Sequence, residues 1–402
     1  MEHKKPESFL AQAVQQCHPL AIALSDDLYA HPELPDQEFR SSQTMVDLLR
    51  QAGYQVEYPY LGYPTGFRAV LDCGDGPSAG ILTEYDALPG LGHACGHNVH
   101  GAMSILAALA LAKVKDRISG KVVVYGTPAE EENGAKVGMA EQGAFDGLAA
   151  AMMIHSWSGG QCVADMDVLS LRCYIAEFTG QSAHAVAGPW KGHSALAAAR
   201  KFLDLVDARR ECFTPDIHVN GVITDGGQYP NILPDRAVVR LEIRTDSQRK
   251  LEEMDEVVRK CAQGACLALD CQFTFTKGFE DFADMVRVPA LEQAVTELFQ
   301  DMGLPFAPVP APNGSSDVGN VSYRCPTIQS LVAICQAPYA LHTEQFRDET
   351  IREDAHKAIA QGGELGEIEL IANMIYRILT DAPFREEVAR SFQDQRKKKL
   401  EG

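Results

Sequence analysis

The chain has 402 residues, of which 46% are hydrophobic and 23% are charged, and this length predicts two domains that each bury a sizeable core. Its formal net charge of −19 argues against nucleic acid and against an anionic membrane as partners, because an acidic surface repels both. The N-terminal stretch lacks the pattern of a signal peptide and the 11 cysteines have no regular spacing, so we expect a cytoplasmic protein with reduced thiols.

Helical and strand-like patterns alternate over most of the chain. Helical periodicity covers residues 8–31 and 37–53, and an Ala-rich stretch near 99–114 is typical of a buried core helix. Four apolar runs have the pattern of buried strands that end in polar residues: AGILTEYDALPG, GKVVVYGTPAEEENG, AAAMMIHSW and PTIQSLVAICQAPYALHTEQF. Strands separated by helices predict an α/β domain with a mostly parallel sheet.

The pattern changes in the middle of the chain, near residue 168. An alternating strand, an amphipathic helix, two strands, a second helix and a closing strand follow one another there. This β-α-β-β-α-β order is typical of a ferredoxin-like α+β unit. We therefore predict a discontinuous α/β domain formed by residues 1–167 and 280–402, with residues 168–279 inserted as a second domain.

Side chains that commonly bind metals follow the carboxyl ends of the predicted strands. They are Glu84 and Asp86, Glu130 and Glu131, His155, and His342. Loops from neighbouring strands of an open parallel sheet converge at that edge, and such domains bind their ligands there. Because four separate segments bring such groups to one edge, we predict a functional site at this position.

The segment before the Ala-rich helix adds a thiol and an imidazole. Cys95 and His97 flank Gly96, which allows the backbone to turn tightly enough for both side chains to face one point. Nitrogen, sulfur and carboxylate ligands suit zinc, with manganese, cobalt or nickel as further candidates. The set is large enough for two divalent ions that share a water at a separation of roughly 3.5–4 Å. Of the adjacent acids Glu130 and Glu131, one could bind metal while the other acts as a general base.

Six motifs occur in a fixed order between residues 31 and 346. They are EYDALPGLGHACGHN, GTPAEEE, MIHSW, GQSAHA, YPNILPDRAVVRLEIRT and ALHTEQF. Together they resemble the M20 metallopeptidase and aminoacylase family, in particular its amidohydrolase branch with a Cys-Gly-His metal motif. The tract NGSSDVGNVSY is similar to the subgroup of the aminobenzoyl-glutamate hydrolase subunit and peptidase M20 domain-containing protein 2. The resemblance implies a zinc-peptidase-like catalytic domain with an inserted ferredoxin-like domain that serves as lid and dimerisation surface.

The resemblance also implies roles for individual residues. The implied metal ligands are Cys95, His97, Glu131, His155 and His342. Glu130 matches the general base, Asp86 the acid that orients a metal-binding histidine, and His184 the inserted-domain histidine that contacts the substrate, often across a dimer. Asn231 and Arg244 match polar positions associated with the substrate's carboxylate or backbone, and an arginine fork suits a carboxylate. A homodimer is implied as well.

Three positions depart from the family pattern. Asn98 stands where many members have Asp, and we expect it to cap the following helix. Glu132 follows the glutamate pair where many members have Gly, so the assignment of the general base could be wrong by one residue. We expect the Glu132 side chain itself to be solvated. Residues 361–367 interrupt what should be a C-terminal helix.

The whole set predicts a metal-dependent hydrolase that cleaves the amide bond of an N-acyl amino acid or dipeptide-like substrate. A metal-activated water and a glutamate base would carry the reaction. Glu84 could instead cap a loop, and we expect His100 to be structural. Two other classes stay open: a catalytically weak metal-binding partner subunit of a two-subunit hydrolase, and a structural zinc protein. Structural zinc sites are usually closed and Cys-rich, which the abundance of carboxylates here disfavours.

Overall fold

The computed structural model describes residues 7–361 and 369–401. The chain forms two compact units. The first comprises Met1–Asp167, Met285–Ala311 and Asp317–Gly402, and the second comprises Val168–Asp284 and Pro312–Ser316. The short stretch Pro312–Ser316 therefore belongs with the inserted segment, although it lies far from that segment in the sequence.

The described residues form the following helices and strands. The helices are α1 (Ser8–Ala30), α2 (Phe39–Gln51), α3 (His97–Lys113), α4 (Ala135–Glu141), α5 (Ala195–Arg209), α6 (Gln248–Leu269), α7 (Pro289–Met302), α8 (Val318–Ser322), α9 (Glu344–Glu349), α10 (Glu353–Ile359), α11 (Leu370–Thr380) and α12 (Ala382–Glu401). The strands are β1 (Gln55–Glu57), β2 (Phe67–Asp72), β3 (Ser78–Thr83), β4 (Lys121–Gly126), β5 (Leu148–Trp157), β6 (Cys162–Val163), β7 (Ser170–Thr179), β8 (Ala183–His184), β9 (His218–Asp225), β10 (Ile232–Leu233), β11 (Arg236–Thr245), β12 (Gln272–Lys277), β13 (Phe306–Ala307) and β14 (Thr327–Ala333). The helices predicted over 8–31 and 37–53 are confirmed as α1 and α2, each slightly shorter than predicted.

A single sheet organises the first unit, with the strand order β1-β2-β4-β3-β5-β14-β6-β13 in the described residues. β4, β3, β5 and β14 run parallel to one another at its centre, whereas β1 and β2 extend one side as antiparallel strands. The predicted α/β fold with a mostly parallel sheet is thus confirmed. The four predicted buried strands are β3, β4, β5 and β14, and their carboxyl ends lie at the same edge of the sheet.

α3 is the central helix of the first unit, and every residue from His97 to Leu111 is buried. A helix that is apolar all round must be covered on all sides, and α1, α11 and β5 pack against this one. Its small residues permit close packing: a Cβ on Gly101 would lie 2.4 Å from the Glu84 carbonyl oxygen. This packing fixes the first turn of α3, which begins with His97, against the carboxyl end of β3.

The second unit has the chain order β7-α5-β9-β11-α6-β12, which is the predicted ferredoxin-like pattern. Its four-stranded sheet is antiparallel in the order β12-β7-β11-β9, and α5 and α6 pack on it. The Ser194 and Ser247 hydroxyls accept hydrogen bonds from the first turns of α5 and α6, which caps both helices. β8 and β10 pair with each other as a separate two-stranded ladder.

Three observations concern the chain as a whole. Across residues 7–361 and 369–401, the structure contains no helix with the length and apolar character that crossing a membrane requires. The 11 cysteines all have free thiols. The predicted helix interruption at 361–367 lies outside the described residues, apart from Gln361.

Candidate metal centre

The loop between β3 and α3 brings a thiol and an imidazole to the carboxyl edge of the sheet. Gly96 precedes α3 with a φ of 83°, a left-handed conformation that other residues rarely adopt. A Cβ at this position would also lie 2.6 Å from the Ser156 Cβ, which is closer than two carbon atoms can pack. Glycine therefore allows Cys95 and His97 to approach the same point.

Ligand-type atoms from four chain segments converge beside this loop. Three groups have all their ligand atoms within 4.8 Å of one another: Cys95, His97 and His155; Cys95, Glu131 and His342; and His97, Glu130 and Glu131. Cys95 Sγ lies 3.5 Å from His155 Nε2, and His342 Nε2 lies 3.5 Å from Glu131 Oε2. Cys95, His97 and His155 are buried, whereas the His342 side chain is 52% exposed. The structure thus brings together all five residues that the family resemblance implies as metal ligands.

Hydrogen bonds on the Nδ1 side orient two of the histidines. His97 Nδ1 lies 2.8 Å from Asp86 Oδ1, and His155 Nδ1 lies 2.8 Å from the Ser156 carbonyl oxygen. A carboxylate and a carbonyl only accept, so each Nδ1 carries the proton and each Nε2 presents a lone pair to the centre. Although burial opposes it, the Asp86 carboxylate also raises the pKa of His97 well above its ordinary value. The same contact therefore orients the ring and makes it a stronger base.

The pKa values of Glu130 and Glu131 shift in opposite directions although the two residues are neighbours in the sequence. Burial, followed by the Glu84 and Glu131 carboxylates, raises the pKa of Glu130 well above its ordinary value. Burial also acts to raise the pKa of Glu131, but His342 and His97 outweigh it and lower that pKa. Glu131 is therefore ionised beside the histidines, whereas Glu130 can hold a proton. Adjacent acids whose pKa values are driven apart are typical of acid–base sites.

The turn that carries these two glutamates is held by buried carboxylates on both sides. Ala129 precedes them with a φ of 59°, and a non-glycine residue in this region costs roughly 1–2 kcal/mol. Its N–H donates to Glu38 Oε1 at 2.9 Å, and the Glu131 N–H donates to Asp86 Oδ2 at 3.0 Å. Burial raises the pKa of Glu38 to about 7. Two carboxylates thus fix the backbone on either side of Glu130.

The donor set fits a divalent metal ion. Two buried atoms, His97 Nε2 and Glu131 Oε1, lack hydrogen-bond partners within the described residues, and an unpaired polar atom in a protein interior is costly. Burial raises the pKa of Cys95 well above its ordinary value, so a thiolate at this position requires a cation beside it. With His155 Nε2, these atoms offer the sulfur, nitrogen and oxygen ligands that zinc prefers.

A buried ion network lies directly beside these ligands. Lys136 Nζ lies 2.6 Å from both Glu84 Oε1 and Asp317 Oδ1, and none of the three side chains has exposed surface. His100 Nδ1 accepts a hydrogen bond from the Ser156 N–H at 3.1 Å, so its Nε2–H donates to Glu84 Oε2, also at 3.1 Å. Both ring nitrogens of His100 are thus engaged within the protein. Burial lowers the pKa of His100 to about 3, which keeps the ring neutral.

Sequence reasoning missed part of this site and misplaced one residue. Nothing in the sequence pattern predicts Lys136 and Asp317 near the metal ligands, and the only sequence signal for Asp317 is its place in the tract NGSSDVGNVSY. The expectation that Asn98 caps α3 is wrong, because it lies inside the helix and donates to the Ser25 hydroxyl at 3.2 Å. Glu132 is exposed, as expected.

Two further predicted site residues, His184 and Asn231, adjoin the β8–β10 ladder of the second unit. The Ala185 N–H donates to the Asn231 carbonyl at 2.9 Å, which places the two segments side by side. His184 Nδ1 accepts hydrogen bonds from the N–H groups of Val186 at 3.2 Å and Ala187 at 3.1 Å. The exposed imidazole therefore carries its proton on Nε2, where it can donate to a ligand.

Arg244 lies elsewhere in the second unit. It is eight residues beyond Arg236, the first residue of β11, and at ~3.3 Å per residue this separates the two by about 26 Å. Its guanidinium donates to Glu242 Oε2 at 3.1 Å and to the Ser315 hydroxyl at 3.2 Å. The structure therefore brings His184 and Asn231 together but places Arg244 toward the other end of β11.

Comparison with known proteins agrees with this architecture. A sequence profile described as Peptidase family M20/M25/M40 matches residues 80–360. The chain is 34% identical over 349 residues to an Xaa-Arg dipeptidase from Mus musculus, a match that covers 81% of this chain and 79% of that protein. It is 29% identical over 289 residues to one of the p-aminobenzoyl-glutamate hydrolase subunits from Escherichia coli (strain K12), covering 66% and 60% of the two chains. A dinuclear metal-binding peptidase of the M20 family from Bacillus subtilis has the same fold, with a TM-score of 0.65 at 20% identity over 86% of this chain and 98% of that one.

Proposed function

The chain belongs to peptidase family M20/M25/M40 and is a metal-dependent amide hydrolase, and from this premise we propose that it cleaves dipeptides or N-acyl amino acids. One relative is named as a dipeptidase for Xaa-Arg, and another as part of a hydrolase for p-aminobenzoyl-glutamate. An amide bond to an amino acid is common to both names. This common element supports the proposed substrate class without selecting one member of it.

We propose that two divalent cations complete the site, with zinc favoured and manganese, cobalt or nickel as alternatives. The residues that would hold them are Cys95, His97, Glu131, His155 and His342. When bound, such cations lower the pKa of a water molecule and polarise the scissile carbonyl. The two unpartnered buried atoms, His97 Nε2 and Glu131 Oε1, support this proposal because a cation would satisfy both.

In the proposed reaction, Glu130 is the general base. Its carboxylate takes a proton from the attacking water, whose oxygen forms a bond to the amide carbon. Glu130 then passes the proton to the amide nitrogen as the carbon–nitrogen bond breaks. The pKa of Glu130 is raised by burial and by neighbouring carboxylates, so the protonated form needed for the second step is accessible. The proposal rests on the geometry of the centre, in which ligand atoms of His97, Glu130 and Glu131 lie within 4.8 Å of one another.

For the second unit, we propose that the Nε2–H of His184 donates to the substrate carbonyl oxygen and that Asn231 and Arg244 bind polar substrate groups. His184 lies on β8, whose partner β10 ends two residues before β11 begins, whereas Arg244 lies about 26 Å along β11 from Arg236. This separation supports a homodimer, in which each copy supplies one of these residues to a given substrate.

The test is a Glu130→Gln variant assayed with a panel of dipeptides and N-acyl amino acids in the presence of added zinc or manganese. We expect the wild-type enzyme to hydrolyse members of the panel and the variant to lose about 10²–10⁴-fold in kcat, because a general base contributes an effect of this size. Elemental analysis after dialysis should show the same metal content in both proteins. Loss of metal in the variant would instead make Glu130 a ligand.

The panel also separates the proposed enzyme from a catalytically weak partner subunit. A metal-loaded wild-type protein that hydrolyses no member of the panel would favour the partner role and refute the proposed function. Glu132→Gln is the matched control, since it removes the neighbouring exposed carboxylate in the same turn. It should retain wild-type turnover. If its kcat falls as much as that of Glu130→Gln, the assignment of the general base is wrong by one residue.

A further inference from the structure

Three carboxylates beside the metal ligands form a group that resembles a cation site. Oxygen atoms of Glu84, Glu130 and Asp317 lie within 4.8 Å of one another. Carboxylates at such distances repel one another unless a positive charge lies among them. The Lys136 ammonium provides this charge, because it contacts Glu84 and Asp317 at 2.6 Å each.

We propose that Lys136 is a positioning residue for Glu130: its ammonium takes the place of a cation among these three carboxylates and so keeps Glu130 free of metal and available to the substrate. This inference rests on the proposed role of Glu130 as the general base. Lys136 itself touches no reacting atom in this scheme. It acts through the carboxylates that surround it.

The geometry of the network distributes the ammonium's hydrogen atoms unequally. The Lys136 ammonium has three N–H donors. One donates to Glu84 and one to Asp317, so the third is bound by neither of these acids. A carboxylate oxygen of Glu130 lies within 4.8 Å of oxygens of both acceptors, yet Glu130 is not itself an acceptor of Lys136. Glu130 thus lies beside the acids that hold the ammonium, but its own oxygens are not tied to it.

Neither acceptor can easily turn away from Lys136. Glu84 is also held by the Nε2–H of His100 at 3.1 Å, and Asp317 Oδ2 accepts the backbone N–H of Lys136 at 3.1 Å. The three residues come from the end of β3, the first turn of α4 and the residue before α8. Because these bonds join distant parts of the chain, the ammonium lies at a fixed point relative to Glu130.

Lys136→Met tests this inference, since methionine is a neutral side chain of similar length. We expect kcat to fall by about 100-fold or more with little change in KM, because the base is misplaced while substrate binding is unaffected. We also expect the dialysed variant to retain more divalent metal per chain than the wild type. Three carboxylates without their ammonium would then bind a cation, with Glu130 as one of its ligands.

The double variant Lys136→Met/Asp317→Asn is the matched control. It removes one positive and one negative charge, so the net charge of the network is unchanged, and it leaves two carboxylates instead of three. If Lys136 positions Glu130, the double variant should have the metal content of the wild type and still a low kcat. If Lys136 only balances buried charge, the double variant should recover wild-type kcat, and this result would overturn the inference.

The remaining outcomes also decide between the alternatives. Wild-type kcat, or wild-type metal content, in folded Lys136→Met would contradict the inference. If Lys136→Met does not fold, the kcat of the charge-balanced double variant alone decides between the two roles. Wild-type turnover by Glu130→Gln would refute the proposed base itself, whereas a slow Glu130→Gln beside a fast Lys136→Met refutes only the role of Lys136.

Discussion

Asp86→Asn should weaken metal binding although the substitution changes one atom. Asp86 accepts two hydrogen bonds in the structure, from His97 Nδ1 at 2.8 Å and from the Glu131 N–H at 3.0 Å. An asparagine side chain has only one oxygen, so it can satisfy only one of these donors. If the oxygen faces Glu131, the amide N–H₂ faces His97 and moves the imidazole proton to Nε2, the nitrogen that lies among the metal ligands.

In either orientation of the asparagine side chain, one of the two hydrogen bonds to residue 86 is lost, and this loss sets the size of the effect on metal affinity. A hydrogen bond to a charged group contributes roughly 1.5–3 kcal/mol. At ~1.4 kcal/mol per factor of ten, the loss corresponds to about 10–100-fold in metal affinity. Replacement of residues that orient a metal-binding histidine generally has a cost of this size, about 10–100-fold.

Competition with a chelator of known affinity measures this quantity directly. Wild type and Asp86→Asn are titrated with zinc in the presence of the chelator, and circular dichroism at zero metal confirms that both are folded. Asp47→Asn is the control, because it removes one exposed acid of the same unit that makes no contact with the metal ligands. Equal zinc affinity in wild type and Asp86→Asn would refute the assignment of His97 Nε2 as the ligand atom.

Three further changes have defined outcomes. Gly96→Ala should lower the melting temperature and the metal content, since the added Cβ would lie 2.6 Å from the Ser156 side chain. Gly90→Ala is the control, because Gly90 has a similar φ of 71° but no atom within 4 Å of an added Cβ. The control should show only the backbone cost of roughly 1–2 kcal/mol. Cys95→Ala should retain less metal after dialysis than wild type, and unchanged metal stoichiometry would remove Cys95 from the ligands. Burial raises the pKa of Glu369, the N-cap of α11, to about 8. Between about pH 4.5 and 8, the folded state therefore keeps a proton that the unfolded state has lost. The free energy of unfolding of the wild type falls as the pH rises through this range. Glu369→Gln should therefore become progressively more stable than wild type over that range in thermal melts, and a pH-independent difference would contradict this reasoning.

The convergence of the candidate ligands was predictable because its signals are local or follow from topology. The Cys95-Gly96-His97 triplet needs only a few residues to define its geometry. Acids and histidines after several strands of a parallel sheet must approach one edge, whatever the details of packing. For this reason the sequence predicts the convergence of Glu131, His155 and the loop around Gly96 without any knowledge of side-chain positions.

The Lys136 network could not be predicted in this way. Lys136 and Asp317 are 181 residues apart, and a lysine at the start of a short helix is usually solvated. Gly134, with a φ of 61°, starts α4 in a direction that turns Lys136 inward, and this direction depends on tertiary packing. The position of Arg244 toward the far end of β11 likewise depends on the length of that strand.

The distribution of hydrogen-bond donors among the site's acids supports the proposal that Glu130 transfers the proton. The acids are Glu84, Asp86, Glu130, Glu131 and Asp317. Each of the others has a defined partner: an ammonium for the two acids that contact Lys136, an imidazole and a backbone N–H for Asp86, and His342 for Glu131. In the described part of the chain, Glu130 alone receives no such bond, and its pKa is raised as a consequence of burial among these charges. A base must exchange its proton during each turnover, so a carboxylate without a permanent donor is the one that can do so without breaking the structure around it.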